Sequence, residues 1–375
     1  MLDTNAINSI GYSESFFERV ISTVKQGKIA LFVSHIQNDE INAMSALILQ
    51  PNEATWLKDH APWLGTSYLE HLRNYRYDPK EISFMVKDGE LKLEINGTWE
   101  RTILWEVPLM ALISELFFKH CDTNWTMEGQ ATKAESKRHA LEGIPHSDFG
   151  TRRRRNYNTQ DILVETLKQS PSFMGTSNVH FAMKHNVRPM GTQAHQWYMA
   201  ISALEGLRRA NHYGMNLWSK IYDGRLGIIL TDTFGSDAFF EDFEYYFARL
   251  FDGVRHDSGD PFVFGEKAIN AYRKLEIDPK TRTIIFSDSL DCDLAQKLWG
   301  VFHERINVAF GIGTHFTNNY ENSPALNMVI KLSSINGIPV VKLSDDPRKA
   351  IGDKDALRVA KWTFLGEPLD ENCPC

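Results

Sequence analysis

The chain has 375 residues, of which 42% are hydrophobic, 11% aromatic and 24% charged, and its formal net charge at pH 7 is −7. This composition excludes a disordered chain and fits one large or two medium domains. A net negative charge gives no general attraction to DNA or RNA, so no nucleic-acid partner is expected. Neither a basic leader nor a long uncharged apolar run is found, and the sparse cysteines suit a reducing compartment. We therefore expect a cytoplasmic protein without a membrane partner.

Residues 1–145 are expected to be rich in helices. Apolar residues at helical spacing predict a helix over residues 15–27, and a second helix is expected over 69–77. The run 81–100 predicts a β-hairpin, because Asp88-Gly89 favours the tight turn that joins two strands. An apolar helix is expected over 105–119. The polar, alanine-rich segment 127–141 predicts a helix that is exposed or faces the substrate.

Residues 146–345 alternate between short apolar strands and amphipathic helices. Strands are predicted over 226–230, 283–286, 307–310 and 329–332, with helices over 237–250, 264–275 and 294–302. This alternation predicts a parallel sheet, because parallel neighbours need crossover connections. Four polar strand ends in succession favour a barrel-like ring of strands with its ligand beyond their carboxyl ends. Spacing alone leaves a simpler nucleotide-binding fold open.

The segment RHDSGDP, residues 255–261, carries the strongest site signal. Asp257 and Asp260 flank a Ser-Gly turn, where their oxygens could face Mg²⁺ or ribose hydroxyls. The alternative is an Asp-rich turn that caps the next helix. Asp232 and Asp288 lie where predicted strands end and are further site candidates. Asp237 and Asp291 lie at the starts of predicted helices, and we expect each to be a helix N-cap.

The segment FGIGTHF, residues 310–316, predicts an anion site. Gly311 and Gly313 free two backbone N–H groups to face a phosphate, although a tight turn is the alternative. Lys331 and Lys342, farther along the chain, could balance the phosphate charge.

Two further segments hold a histidine and a run of arginines. His195 follows a Gly-Thr break, and a nearby acid could orient one ring nitrogen and leave the other as a nucleophile. A structural histidine is the alternative. In HSDFGTRRRR, residues 146–155, Phe149 precedes four arginines, Arg152 to Arg155, which would oppose a helix dipole unless an anion binds there. A phenyl face beside a guanidinium suits a flat aromatic carboxylate.

In chain order, these segments resemble those of the nicotinate phosphoribosyltransferases of bacterial and fungal type, over about residues 50–365. The matching segments are ILWEVPLMALISE, DFGTRRR, FMGTSN, MGTQAHQW, LTDT, RHDSGDP, FSDSLD, FGIGT and NMVIKL. The resemblance implies an irregular α/β barrel with a second α+β domain built from the N- and C-terminal segments. The predicted division is an N-terminal region, 1–145, a catalytic domain, 146–345, and a C-terminal segment, 346–375, that returns to the N-terminal region.

The resemblance implies an enzyme of NAD biosynthesis that joins nicotinate to phosphoribosyl pyrophosphate (PRPP), giving nicotinate mononucleotide and pyrophosphate. ATP hydrolysis would drive the reaction through a phosphohistidine at His195, with Mg²⁺ as cofactor and a homodimer as the assembly. Asp232 would orient His195, while Asp257 and Arg255 would bind the ribose and the diphosphate.

The resemblance also places Phe149 on the pyridine ring and Arg152 on its carboxylate. Ser177 matches a position at which relatives that use nicotinamide carry an acid, and a neutral serine avoids repulsion between two buried carboxylates. Ser287 and Asp288 would line the phosphoribosyl site. The 5′-phosphate would be held by Gly311, Gly313, Thr314 and Lys331.

Three positions depart from the family pattern. Ile7 and Asn8 stand where the family has Tyr and Lys, the expected strand 28–37 carries no arginine, and Gln196 replaces the usual Glu after the histidine. One alternative is therefore a catalytically weakened paralogue that binds PRPP or pyridine nucleotide as a sensor or partner subunit. Another keeps the enzyme but changes the base, although Ser177 argues against nicotinamide.

Overall fold

The computed structural model describes residues 15–23, 40–87 and 90–368. Two sheets form the frame. The strands are β1 (Ser15–Thr23), β2 (Ile82–Lys87), β3 (Glu90–Thr98), β4 (His146–Asp148), β5 (Phe173–Thr176), β6 (Ile228–Leu230), β7 (Gly253–His256), β8 (Thr283–Phe286), β9 (Asn307–Ile312), β10 (Ile330–Ile335) and β11 (Ile338–Pro339).

Helices surround both sheets. Those of the described residues are α1 (Ile41–Met44), α2 (Pro51–His60), α3 (Thr66–Asn74), α4 (Trp99–Thr102), α5 (Glu106–His120), α6 (Gln130–Ala140), α7 (Tyr157–Leu167), α8 (Val179–His185), α9 (His195–Glu205), α10 (Ala210–Tyr222), α11 (Ser236–Asp242), α12 (Tyr245–Leu250), α13 (Pro261–Lys274), α14 (Cys292–Phe302), α15 (Thr314–Thr317) and α16 (Lys354–Leu365). No helix in these ranges is both long enough and apolar enough to span a membrane.

The first sheet is antiparallel, with the order β11-β10-β1-β3-β2. The helix predicted over 15–27 is wrong over its described part, because residues 15–23 form β1 and pair along their whole length with β3. Pairing on both sides satisfies the backbone groups that a helix would satisfy locally, so tertiary pairing overrides the local spacing. The predicted hairpin is confirmed as β2 and β3. Its turn, 88–89, and the strand expected over 28–37 lie outside the described residues.

The first sheet buries one face against α5. Leu91, Leu93 and Ile95 alternate along β3 and form a core cluster with the apolar side of the helix, including Leu109 and Ile113. Successive strand residues point to opposite faces, so this alternation gives the sheet its buried side. The apolar helix expected over 105–119 is confirmed and places its first turn beside the second sheet.

The second sheet is parallel, with the order β5-β4-β9-β8-β7-β6. The residues after β5 continue toward the opposite edge: Met190 N donates to Thr176 O at 2.9 Å, and Gln193 Oε1 accepts from Leu230 N of β6 at 3.0 Å. Residues 188–193 therefore span the gap between the two edge strands. The result is an irregular α/β barrel with one side closed by a loop, which confirms the predicted fold class.

Two of the predicted elements were misplaced. The strand expected over 329–332 exists as β10, but it pairs antiparallel with β1 in the first sheet and not with the parallel strands. The single helix expected over 237–250 is two helices, α11 and α12, with a break at Phe243 and Glu244. The division of the chain at residues 145 and 345 stays a prediction.

Hydrogen bonds at the helix ends show which of the aspartates singled out in the sequence have a structural role. Asp291 caps α14 as predicted, and Asp260 caps α13 by accepting from Phe262 N and Val263 N. Asp237 lies inside the first turn of α11 and pairs with Lys267, so the cap predicted for it is wrong. The helix expected over 127–141 is α6, which packs against α7 and α14 and is not among the elements that line the cavity described next.

Candidate active site

A cavity of about 350 Å³ lies at the carboxyl ends of the parallel strands. One part of its wall holds His195, Asp257 and Arg255. We call these residues the histidine end, together with Asp232 and Lys342, which adjoin them without lining the cavity. We call another part the base end, which consists of Phe149, Arg152 and Ser177. Lys331 and Glu106 also line the cavity, and most of the rest of the wall is apolar, with Leu57, Ala61, Leu64, Val107 and Val179 among its residues.

His195 begins α9 and is 5% exposed. Its Nε2 lies 2.9 Å from Asp257 Oδ2, and its Nδ1 lies 3.1 Å from Thr233 Oγ1. Asp232 Oδ1 is 3.8 Å from Nε2, beyond hydrogen-bond length. Asp257 therefore makes the direct hydrogen bond to the ring, and the orienting role expected for Asp232 stays a prediction.

Arg255 holds Asp257 in place. Arg255 Nη2 donates to Asp257 Oδ1 at 2.7 Å, and Ser287 Oγ donates to the same oxygen at 2.9 Å. The guanidinium also donates to Ser287 Oγ and to Thr192 Oγ1, so it ties β7 to β8 and to the loop that closes the barrel. Burial opposes the charge of Asp257, but Arg255 and the neighbouring His195 hold the pKa of this carboxyl well below its ordinary value.

Lys342 adds a cation to the histidine end. Its Nζ lies 2.9 Å from His195 Nε2 and 3.5 Å from Asp232 Oδ2. Burial, followed by the charge of Lys342, lowers the pKa of His195 to about 4, so the ring is neutral at pH 7. The two groups at Nε2 favour opposite tautomers: an ionised Asp257 accepts and favours hydrogen on Nε2, whereas the Lys342 ammonium donates and favours the lone pair there.

Three residues of the histidine end lie close enough together to resemble a cation site. His195, Asp232 and Asp257 each bring one ligand atom within 4.8 Å of the others. The Lys342 ammonium already contacts two of these three residues, and it would repel a divalent cation at the same point. The cluster as built does not fit Mg²⁺, and we assign it no metal ligand.

The base end is shaped by Phe149 and its neighbour Gly311. A Cβ added to Gly311 would lie 2.4 Å from Phe149 Cε2, so only glycine leaves room for the ring there. Phe149 N donates to Ile312 O at 2.9 Å, which fixes the residue beside β9. The structure therefore gives Gly311 a steric role under the ring, and the phosphate role expected for it stays a prediction.

The loop that carries the base end is organised by Asp148, which is fully buried. Its carboxylate accepts from Gly150 N, Gln160 Nε2 and Thr176 Oγ1 at 2.7 to 2.8 Å, and its backbone carbonyl accepts from Ser177 N at 2.8 Å. Burial raises the pKa of Asp148, and these hydrogen bonds oppose the rise. Asp148 thus fixes the loop before Arg152 relative to the loop at Ser177.

The arginine run divides between the cavity and the fold. Arg152 lines the cavity, and its Nη1 donates to Glu106 Oε1 at 3.1 Å. Arg153 donates to a backbone carbonyl, and Arg154 donates to Glu115. Arg155 is buried against the rings of Phe118 and Tyr320 and bonds to Asn318 and Ser323. The expected anion site therefore has one of the four arginines in the cavity wall.

The residues expected around the phosphoribosyl group lie at different distances from the cavity. Lys331 lines it, and burial lowers the pKa of this ammonium to about 8 while the charge of Glu106 opposes the shift. Ser287 does not line the cavity, but its hydroxyl forms hydrogen bonds with Arg255 and Asp257, which do. Asp288 forms an ion pair with Lys349. Gly313 and Thr314 begin α15, and the role in phosphate binding expected for them stays a prediction.

Sequence reasoning missed two contributions to this site. Glu106 comes from α5 of the N-terminal half, and its segment was interpreted as an apolar helix with a family resemblance, without a role for Glu106 itself. Lys342 was noted as a distant cation, but its contact with His195 had no sequence signal, because 147 residues separate the two.

Comparison with known proteins gives one consistent result. Residues 144–367 match the model of the nicotinate phosphoribosyltransferase (NAPRTase) family, and residues 13–114 match the model of the NAPRTase N-terminal domain. A nicotinate phosphoribosyltransferase of Methanococcoides burtonii is 46% identical over 361 residues, covering 91% of this chain and 89% of that protein. One from Chromohalobacter salexigens is 43% identical over 333 residues, covering 86% and 85%.

Crystal structures agree with the sequence comparisons. That of the nicotinate phosphoribosyltransferase from Porphyromonas gingivalis matches with a TM-score of 0.92 at 35% identity, covering 96% of each chain. That of the enzyme from Vibrio cholerae matches with a TM-score of 0.90 at 33% identity, covering 98% of this chain and 91% of the other. The fold described above is thus shared with both over nearly its whole length.

Proposed function

The chain belongs to the nicotinate phosphoribosyltransferase family, and we propose that it joins nicotinate to PRPP, forming nicotinate mononucleotide and releasing pyrophosphate in NAD biosynthesis. The observation that carries the proposal is the meeting of two ends in one cavity. A ring-and-guanidinium pair, Phe149 and Arg152, shares this cavity with the carboxylate and cations around His195.

At the base end, we assign the nicotinate carboxylate to Arg152 and the pyridine ring to Phe149. A guanidinium matches a carboxylate with paired hydrogen bonds, and a phenyl face suits a flat ring. Ser177 lines the same cavity and carries no charge, so it does not repel an anionic base. These features support nicotinate over nicotinamide.

At the histidine end, we assign the ribose and diphosphate of PRPP to Asp257 and Arg255, and a phosphate to Lys331. The bond from the anomeric carbon to pyrophosphate breaks as the pyridine nitrogen attacks, and positive charge develops on the ribose. An ionised carboxylate close to that carbon would stabilise this charge in a site partly shielded from water. The low pKa of Asp257 keeps the carboxylate ionised at pH 7.

ATP is the proposed co-substrate, and His195 is the proposed phosphoryl carrier. With hydrogen on Nε2 facing Asp257, the Nδ1 lone pair attacks the γ-phosphorus of ATP, and the bond to the ADP oxygen breaks. Water later cleaves the phosphorus–nitrogen bond and releases inorganic phosphate. Because the pKa of His195 is about 4, the lone pair is available at neutral pH without prior deprotonation.

The assembly and location are further proposals. The family resemblance supports a homodimer, and the sparse cysteines of the chain support a cytoplasmic location. Mg²⁺ is expected to accompany the PRPP diphosphate, but we assign it no protein ligand. The N-terminal departures at Ile7 and Asn8 lie outside the described residues.

The direct test is formation of nicotinate mononucleotide by the purified chain from PRPP, with nicotinate and nicotinamide compared at equal concentration. We expect turnover with nicotinate, stimulated by ATP, and little with nicotinamide. Binding of PRPP without turnover at high enzyme concentration would instead identify a catalytically weakened paralogue. A preference for nicotinamide would contradict the assignment of Arg152 and Ser177.

A further inference from the structure

Glu106 is the charged residue of the cavity wall to which the proposed function gives no role. It is the first residue of α5, and its side chain is 10% exposed. Both carboxylate oxygens are engaged: Oε1 lies 3.1 Å from Arg152 Nη1, and Oε2 lies 3.1 Å from Gln196 Nε2. Glu106 therefore links the base end to the residue that follows His195.

Arg152 depends on this contact for its orientation. It lies in a single turn, residues 151–153, and its side chain is 44% exposed, so the backbone and packing leave the long side chain much freedom. The contact with Glu106 uses one of five N–H donors on a planar group. Fixing one edge of a planar fork fixes the direction in which its other edges point.

Gln196 is set by the same carboxylate. An ionised carboxylate only accepts hydrogen bonds, so the amide of Gln196 must turn its NH₂ group toward Glu106. Its Oε1 is then buried without a hydrogen-bond partner among the described residues. This orientation costs stability, because a buried acceptor has lost water and gained no donor. A glutamate at this position would instead place a second negative charge beside Glu106.

We propose that Glu106 is a positioning residue that holds the Arg152 guanidinium in the orientation that receives the carboxylate of the base, and that Gln196 fixes Glu106 without adding charge. This inference rests on the proposed function. It makes the recognition of an anionic base depend on a residue from α5, outside the barrel strands and their loops.

The test compares Glu106→Ala with the matched control Glu115→Ala. Glu115 lies on the same helix and forms the same kind of ion pair, with Arg154 Nη2 at 2.6 Å, but it does not line the cavity. At a pH well below the pKa of Lys331, where this ammonium keeps its charge even without Glu106, we expect Glu106→Ala to raise the KM for nicotinate at least roughly tenfold while the KM for PRPP stays within about twofold. Glu115→Ala should leave both KM values unchanged.

Two further variants separate the hydrogen bonds that position Arg152 from the negative charge of Glu106. Glu106→Gln should recover most of the nicotinate affinity, because its amide oxygen can accept from Arg152 and the Gln196 amide can turn to accept from its NH₂ group. Gln196→Ala should raise the KM for nicotinate by roughly threefold, since Glu106 keeps Arg152 but loses its own support. Unfolding midpoints of all variants report any loss of folding.

Equal rises in both KM values in Glu106→Ala, or an unchanged KM for nicotinate, would overturn the positioning role. If the native chain binds nicotinate but does not turn it over, calorimetric affinities of the same variants provide the same comparison. If the native chain neither binds nor uses nicotinate, the proposed function itself fails, and this result is distinct from a failure confined to Glu106→Ala.

Discussion

The histidine end and the base end of the cavity balance their charges in different ways. At the histidine end, two carboxylates face Arg255 and Lys342, and the neutral His195 lies between them. At the base end, Arg152 is nearly half exposed and is partly offset by Glu106. The first arrangement pairs each carboxylate with a cation before substrate binds, whereas the second has hydrogen-bonding capacity left for an anion. Chemistry and base recognition are therefore separable by mutation.

The largest effect is expected at the histidine end. Asp257→Asn keeps one acceptor oxygen but replaces the other with an NH₂ group, so the side chain can no longer accept from both His195 and Arg255, and Arg255 loses its paired negative charge. We expect kcat to fall by roughly 100-fold or more, the scale of a lost acid–base or orienting group. Steady-state kinetics at saturating nicotinate measure it. A normal kcat in Asp257→Asn would contradict the role of this carboxylate in orienting His195 and Arg255.

The next effect separates two arginines of the same run. Arg152→Ala should raise the KM for nicotinate by roughly 30-fold, equivalent to about 2 kcal/mol for one lost charged partner, with little loss of stability. Arg155→Ala should instead lower the free energy of unfolding by about 3 kcal/mol, because Arg155 is fully buried among hydrogen-bond acceptors and rings. The KM for nicotinate and the free energy of unfolding in denaturant are measured for both variants. If both variants change the same quantity to the same extent, the division of roles between Arg152 and Arg155 is contradicted.

A smaller effect is expected from a charge placed at the base end. Ser177→Asp should lower the preference for nicotinate over nicotinamide by roughly tenfold, because two carboxylates would then share a partly buried site. Ser177→Asn is the uncharged control of similar size and should keep most of the preference. The ratio of kcat/KM for the two bases is the measurement. An unchanged ratio in Ser177→Asp would place the base carboxylate elsewhere.

The smallest effect concerns pH. Burial lowers the pKa of Lys331 to about 8, so the free enzyme loses this positive charge as the pH rises through that value. We expect kcat/KM for PRPP to fall severalfold between pH 8 and pH 9, while Lys331→Arg, which stays charged, should lack this fall. No fall from His195 is expected on the acid side until about pH 4, the value of its pKa. A fall that persists in Lys331→Arg would assign the alkaline effect to another group.

Three of the parallel strands, β6, β8 and β9, could be predicted from the sequence because each holds apolar and β-branched residues and is followed by a polar cluster. The strands β4 and β5 were not predicted, since HSD and FMGT are not β-branched runs. The strand over residues 283–286 was predicted with its observed bounds. The strands β1 and β10 could not be placed in the same way, since their partners lie far away in the sequence and local spacing does not specify pairing.

The candidate site shows the same limit. His195 and Asp257 were found because each lies in a motif, and the structure brings their side chains to 2.9 Å. Glu106 and Lys342 reach the site from α5 and from the chain after β11, and only the folded arrangement brings them there. The sequence did not indicate that Arg153 to Arg155 bind other parts of the protein, because an arginine run has the same sequence pattern whether its side chains bind a ligand or the protein itself.

The role of His195 as phosphoryl carrier can be tested most directly by mass spectrometry of the chain after incubation with ATP. We predict an acid-labile phosphate on His195 in the native protein and none in His195→Ala, which should also lose all stimulation by ATP. ATP stimulation that persists in full in His195→Ala, or a native protein that is stimulated by ATP without phosphate ever appearing on His195, would contradict this account.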